Sequence, residues 1–207
     1  VLAGGAGGLF LVEASGGELE VVSRHAPDEG WFPDIPFVGA VSADRDIVAL
    51  RQDTGFRTVV MDVSPDGTIT ESELLPGITT PTAVAMDGAD ALVLEADGNL
   101  WRWDMAASPR KVMAGLNSPR DLLVSGDMGL LADRVDGLVT IDLSSHTILG
   151  ATPTLAAPLD LERVGDLLYV AEGSFGVEVF DVSDPQAPVR VAHLETPGTA
   201  QALSVTG

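Results

Sequence analysis

Phe180-Asp181-Val182-Ser183-Asp184-Pro185 closes an alternating run, Val177-Glu178-Val179-Phe180, with an aspartate and a polar corner. The same strand–Asp–turn element stands at Val60-Met61-Asp62-Val63-Ser64-Pro65, at Trp103-Asp104-Met105 and at Ile141-Asp142-Leu143-Ser144. The aspartates 62, 104, 142 and 181 are spaced 42, 38 and 39 residues apart. An earlier copy, Leu19-Glu20-Val21-Val22-Ser23, carries Ser23 in the aspartate slot, 39 residues before Asp62. Five copies in 207 residues give a repeat of about 41 residues.

Working outward from the last copy, each repeat holds four short runs. Leu167-Leu168-Tyr169-Val170-Ala171 is apolar, Val177 to Phe180 alternates, Val189-Arg190-Val191-Ala192-His193-Leu194 alternates again, and Ala202-Leu203-Ser204-Val205 follows. Period-two alternation bounded by Gly, Pro, Asp and Ser is the signature of strands. Pro65-Asp66-Gly67, Asp97-Gly98 and Asp136-Gly137 supply tight turns. Four strands per repeat of this length is the spacing of a β-propeller blade. The reading is therefore all-β: about five four-stranded blades, within a larger propeller of six to eight, with a closed five-bladed ring as the alternative. The approximate repeats are 1–35, 36–80, 81–118, 119–157 and 158–198, and 199–207 is read as an inner strand of the next or first blade.

Composition narrows the function classes. With 31 Asp+Glu against 11 Lys+Arg the net charge is −20, Lys111 is the single lysine, and there is no cysteine. That charge repels phosphate and excludes a nucleic-acid surface. The missing thiols exclude disulfide scaffolds, zinc–cysteine sites and cysteine nucleophiles. Hydrophobic residues at 45% exclude intrinsic disorder. Apolar runs are only a few residues long, so no membrane insertion is expected. No charged segment precedes an apolar one at the start, and no signal peptide is read there. An acidic, cysteine-free chain suits a bacterial surface, extracellular or periplasmic setting.

The last copy resembles the LVIVD repeat of bacterial propellers. The resemblance is carried by Gly165-Asp166-Leu167-Leu168-Tyr169-Val170-Ala171-Glu172-Gly173, by Gly176-Val177-Glu178-Val179-Phe180-Asp181-Val182-Ser183-Asp184-Pro185, and by Pro188-Val189 to Pro197-Gly198. The other copies match loosely; the third has Ala106-Ala107-Ser108-Pro109 at its corner. The resemblance implies a propeller, often surface-attached or extracellular, and no catalytic residue. By analogy with related propellers, the first strands line the axis: Phe37–Ser42, Ala83–Asp87, Leu122–Ser125, Leu159–Val164 and Ala202–Thr206.

Aligning the second strands brings Glu13, Arg51, Glu95, Asp133 and Glu172 to one position, and Asp121 and Asp160 open two inner strands. A converging ring of carboxylates raises their pKa values by mutual repulsion unless a cation compensates. Glu13, Glu95, Asp121, Asp133, Asp160 and Glu172 are thus candidate metal ligands, with Ca²⁺ as the cation, since it takes 6–8 oxygens. The other reading of these residues is solvated acids at strand ends. The longest loop, His25 to Pro36, carries Trp31 and Phe32, candidate anchors for a partner or plugs between blades. Trp101 and Trp103 are expected to pack between blades. No Gly-x-Ser-x-Gly, His-Glu-x-x-His or phosphate loop is present. Together these point to a non-catalytic binding or scaffold module that takes a protein or surface polymer. The alternative is a metal-dependent propeller hydrolase or lactonase using axial carboxylates.

Overall fold

The computed structural model describes residues 68–205 other than Met105, and before them the backbone of the strands that lie within residues 2–63. Among residues 69–74 the side chain is described only at Thr70.

Strands follow one another in antiparallel meanders. β1 (Leu2–Gly5), β2 (Gly8–Ser15) and β3 (Glu18–His25) form a three-stranded sheet. β4 (Val38–Ala40), β5 (Val48–Gln52), β6 (Thr58–Val63) and β7 (Ile69–Leu75) form a four-stranded one. Three more four-stranded sheets follow in chain order. They are β8 (Pro81–Asp87) to β11 (Arg110–Met113), β12 (Pro119–Ser125) to β15 (Thr147–Thr152), and β16 (Asp160–Val164) to β19 (Val189–Leu194). Between them lie β9 (Asp90–Glu95), β10 (Leu100–Trp103), β13 (Met128–Asp133), β14 (Gly137–Asp142), β17 (Leu167–Ala171) and β18 (Val177–Asp181). The fold is all-β, and its blade-like sheets fit a propeller. Among the described residues no helix is long and apolar enough to cross a membrane.

Why the chain stacks its sheets follows from the middle strands. Leu92, Val93 and Leu94 in β9, and Leu130, Leu131 and Ala132 in β13, are all fully buried, so both faces of these strands are covered. A single sheet cannot do that; neighbours on both sides can. Leu92, Leu94 and Leu100 of the third sheet pack with Leu131, Val139 and Ile141 of the fourth. Leu130 and Leu138 of the fourth pack with Leu168, Val170 and Phe180 of the fifth. Each such side chain contributes roughly 1.5–3 kcal/mol on leaving water. Trp103 is buried with Leu75, Ile78 and Val93, as expected of a residue packing between blades. Trp101 is half-buried instead, its indole N–H donating to Glu95 at 2.6 Å and its ring under Lys111 Nζ at 5.0 Å.

A repeated glycine shapes the second hairpin of the third, fourth and fifth sheets. Gly98, Gly137 and Gly176 have φ of 85°, 85° and 89°, in the left-handed region that side chains avoid. A Cβ would lie 1.9 Å from the Leu116 carbonyl oxygen at Gly98, 2.5 Å from that of Thr152 at Gly137, and 2.1 Å from that of Leu194 at Gly176. The linker leaving the fourth strand runs directly over the turn, and only glycine leaves room for it.

Candidate functional site

The recurrent aspartate is a turn cap. Asp104 Oδ1 accepts N–H bonds from Ala106 at 3.0 Å and Ala107 at 2.9 Å. Asp142 Oδ1 does the same for Ser144 and Ser145, both at 2.8 Å, and Asp181 Oδ1 for Ser183 at 2.9 Å. These N–H donors favour the charged form and hold all three carboxyls below their ordinary pKa. The sequence repeat is legible because a tight corner between third and fourth strands needs a short side chain that can accept from the backbone two and three residues on.

At the other end of the third, fourth and fifth blades, the aligned carboxylates of the second strands hold the linker that leads into that blade. Glu95 Oε1 accepts from Thr79 N at 2.7 Å and Thr80 N at 3.3 Å, while its Oε2 takes Trp101 Nε1 and, at 3.3 Å, Asn99 Nδ2. Asp133 Oδ2 accepts from Asn117 N and Ser118 N, both at 3.0 Å, and its Oδ1 from Val135 N at 2.9 Å and Asp136 N at 3.2 Å. Both carboxylates are buried. They are clasps: one oxygen ties down the incoming linker, the other the hairpin turn. Solvated acids at strand ends, the other reading of the sequence, do not describe them.

Glu172 occupies the same slot but has lost most of these donors. Its Oε2 accepts from Ala156 N at 3.2 Å, while its Oε1 is buried with no partner. In place of the missing donors stands a second acid, Glu178, fully buried. Glu178 Oε2 accepts from Leu155 N at 3.0 Å, and the carboxylate pairs with the Arg190 guanidinium. Burial first, and the neighbouring Glu178 carboxylate second, push the Glu172 pKa well above the carboxyl range. Glu178 is not among the candidate ligands that the sequence pattern singles out. It stands at a polar position of an alternating strand, where solvent is the default expectation, yet it shares the face of Phe180 that packs against the fourth sheet, while Val177 and Val179 take the half-buried face.

Asp121 and Asp160 act between blades. Asp121 Oδ2 accepts from Leu161 N at 2.8 Å, reaching from β12 to β16, and Asp160 Oδ2 accepts from Leu203 N at 2.5 Å. Burial raises the Asp121 pKa to about 6, with the charge of Asp160 adding to it, and burial raises Asp160 as well.

An acid whose folded pKa is raised keeps a proton that the unfolded chain has already lost. Its contribution is complete below the ordinary carboxyl pKa and is lost as pH rises through the folded value. Stability is therefore expected to fall from about pH 4.5 upward, through the Asp121 value near 6 and on through the higher value of Glu172. Glu172→Gln keeps a donor toward Glu178 and removes the charge. It is expected to match the parent at pH 4.5 and to exceed it at pH 8, which urea midpoints across that range would measure. Parallel curves for the two proteins would show that Glu172 does not titrate against Glu178.

Of the sequence-predicted ligands, Glu95, Asp133 and Glu172 thus share one slot at successive linkers, and Asp121 and Asp160 come together near the first strands. The side chain of Glu13 and the loop bearing Trp31 and Phe32 lie outside the described residues. Arg51 pairs with Val59 in β5–β6, and its side chain lies outside them as well. Among the described residues no group of three or more His, Asp or Glu is placed to hold a metal ion.

The two rims of the blades differ in chemistry. On the rim of second hairpins and linkers, Val135, Leu155 and Phe175 are exposed, by 69%, 47% and 52%. The opposite rim, made of the first hairpins and the third corners, exposes Asp104, Asp127, Asp166 and Asp184. Asp87 and Asp90 on that rim are held by Arg102, the Asp90 bond measuring 2.6 Å.

Comparison with known proteins agrees with this architecture. The LVIVD repeat matches residues 118–151 and 160–196, that is, the fourth and fifth sheets. The computationally designed Ika8 protein is similar in structure, with a TM-score of 0.66 and 12% sequence identity over 100% of this chain and 61% of that one. The computationally designed Ika4 protein is similar with a TM-score of 0.54 and 14% identity, over 64% of this chain and 84% of that one. At such identities the likeness is one of fold alone. No curated protein sequence matches the chain.

Proposed function

We propose that this chain is a non-catalytic binding or scaffold module, a stack of propeller blades that presents its rims to a protein or a surface polymer in a bacterial surface or extracellular assembly. The blades belong to a ring of six to eight, with a closed ring of five as the alternative. The observation that carries the reading is the apolar rim. Val135 and Leu155 protrude from a turn and a linker whose backbone N–H groups are held by buried carboxylates, and Phe175 from a turn closed by backbone bonds, its N–H donating to the Glu172 carbonyl at 3.1 Å. Large apolar side chains on a rigid frame are what a recognition surface requires, because little conformational freedom is lost on binding. The acidic, cysteine-free composition supports the setting outside the cell.

The test is binding with a matched variant. A displayed peptide library and a panel of bacterial cell-wall polymers would be screened against the parent and against V135D/F175D. Ligands that bind the parent and not the variant are expected. Ligands indifferent to the variant would move the surface elsewhere, to the acidic rim or the Trp31 loop.

The hydrolase alternative requires a divalent cation. The oxygens of Glu95 and Asp133 are already filled by N–H donors, which a cation would have to displace. Neither EDTA nor excess Ca²⁺ is therefore expected to move the melting temperature. Occupancy at a hundredfold excess over Kd would stabilise by about 2.7 kcal/mol. A clear rise with Ca²⁺ would restore the metal reading.

A further inference from the structure

The fifth sheet has one face packed and one face open. Toward the fourth sheet it presents Leu168, Val170 and Phe180, all fully buried. Away from it the same strands present Leu167, Tyr169, Val177 and Val179, continued by Leu194 on β19. Register makes Tyr169 and Val177 the counterparts of Leu130 and Leu138, which the fifth sheet covers completely. Here they are half-buried, and Leu167 and Leu194 are exposed by 38% and 64%.

Residues 199–205 begin to cover that face in a specific way. Ala200 and Gly173 exchange two backbone hydrogen bonds, both 2.9 Å. Leu203 N donates to Asp160 as Leu161 N donates to Asp121. Asp121 and Asp160 are themselves equivalent, opposite Ala132 and Ala171. Leu203 therefore stands to the fifth sheet as Leu161 stands to the fourth. The sequence keeps the phase: Leu203-Ser204-Val205-Thr206-Gly207 repeats the spacing of Leu161-Glu162-Arg163-Val164-Gly165. The equivalent place in the first sheet is already taken, since Leu2 pairs with Leu11 as Leu161 pairs with Val170.

We infer that residues 199–205 are the first strand of a further blade, and that the open face of the fifth sheet is the seat for it. The occupant is a β-meander that adds antiparallel to residues 199–205. It presents on its near face the apolar pattern of Leu168, Val170 and Phe180. The inference rests on the propeller reading but not on the binding role, whose surface is the apolar rim. A failed ligand screen therefore leaves it standing.

Two experiments decide it. In the parent chain, amide exchange at Leu203 is expected to be slowed at least tenfold by the bond to Asp160, and D160A should abolish that protection. D121A should do the same at Leu161. Exchange at Leu203 at the rate of an unstructured peptide would overturn the inference. The second experiment supplies the blade by appending a further copy of residues 166–198 after Gly207. A single melting transition, higher than the parent's, with added protection across 201–205, is expected. The same extension with aspartate at the appended positions equivalent to 168, 170 and 180 should show neither. An extension that melts separately from the parent chain would overturn the proposal. So would a concentration-dependent parent dimer abolished by V191D, which would make a second copy the occupant. So would oxidative cross-linking of L9C to V179C in the parent, which would make the first sheet the occupant.

Discussion

Replacing Asp133 by alanine is expected to lower stability by about 3–5 kcal/mol, because hydrogen bonds to a charged group are worth about 1.5–3 kcal/mol each and buried partners left behind add their desolvation. The carboxylate is fully buried and holds four backbone N–H groups, those of Asn117, Ser118, Val135 and Asp136. Water can reach the turn donors once the side chain is cut, so the four losses do not add in full. Asp133→Asn keeps one acceptor oxygen and should lose less. Urea unfolding reads the effect as a shift in midpoint at constant slope. A loss below about 1 kcal/mol would mean that linker and turn are held by packing and that the clasp is incidental. The comparison with Glu172→Gln makes the test sharper. In the same slot of the next blade, removing a negative charge is expected to stabilise at pH 8, because Glu178 has replaced the donors that Asp133 enjoys.

Phe180→Ala is the second large effect, a loss of about 3–5 kcal/mol in line with aromatic truncations in packed cores. Phe180 is fully buried, packed with Leu130, Leu138, Leu161, Leu168 and Val170 at the junction of the fourth and fifth sheets. Its ring also lies 5.7 Å from the Arg190 guanidinium, which in turn pairs with Glu178. Truncation therefore opens a cavity and loosens the partner of a buried acid. Thermal melting of the full chain measures it, with Val191→Ala as the control, since Val191 is 53% exposed and should change little. Equal effects for the two would mean that the fifth sheet does not pack on the fourth through this face.

The strand pattern was legible because it obeys local rules. Alternation in Val177–Phe180 and the Asp-Gly turns at 97–98 and 136–137 are set by backbone geometry within a few residues. The aspartate of the strand–Asp–turn element was visible for the same reason, as Asp142 serves Ser144 and Ser145 beside it. The alignment of Glu95, Asp133 and Glu172 could also be read, since spacing alone brings them into phase. Their chemistry could not. A carboxylate at a strand end is compatible with a cation, with water or with backbone donors, and which it meets depends on a linker 15 or 16 residues away. Glu178 was missed because alternation marks Val177 and Val179 as the inward face, whereas the fifth sheet packs on the fourth through the face of Glu178 and Phe180.

The all-β class, the period and the corner chemistry follow from the order of residues alone, because each is a short-range consequence of side-chain pattern and turn geometry. What the acids do depends on how the sheets stack. Asp133 became a clasp and Glu172 a proton-holding neighbour of Glu178, although the two occupy equivalent slots. The difference lies in what the folded chain brings against them: four N–H donors in one case, a buried carboxylate in the other. Burial and partners, not residue type, set the charge of a carboxyl group, and neither exists until the sheets have stacked.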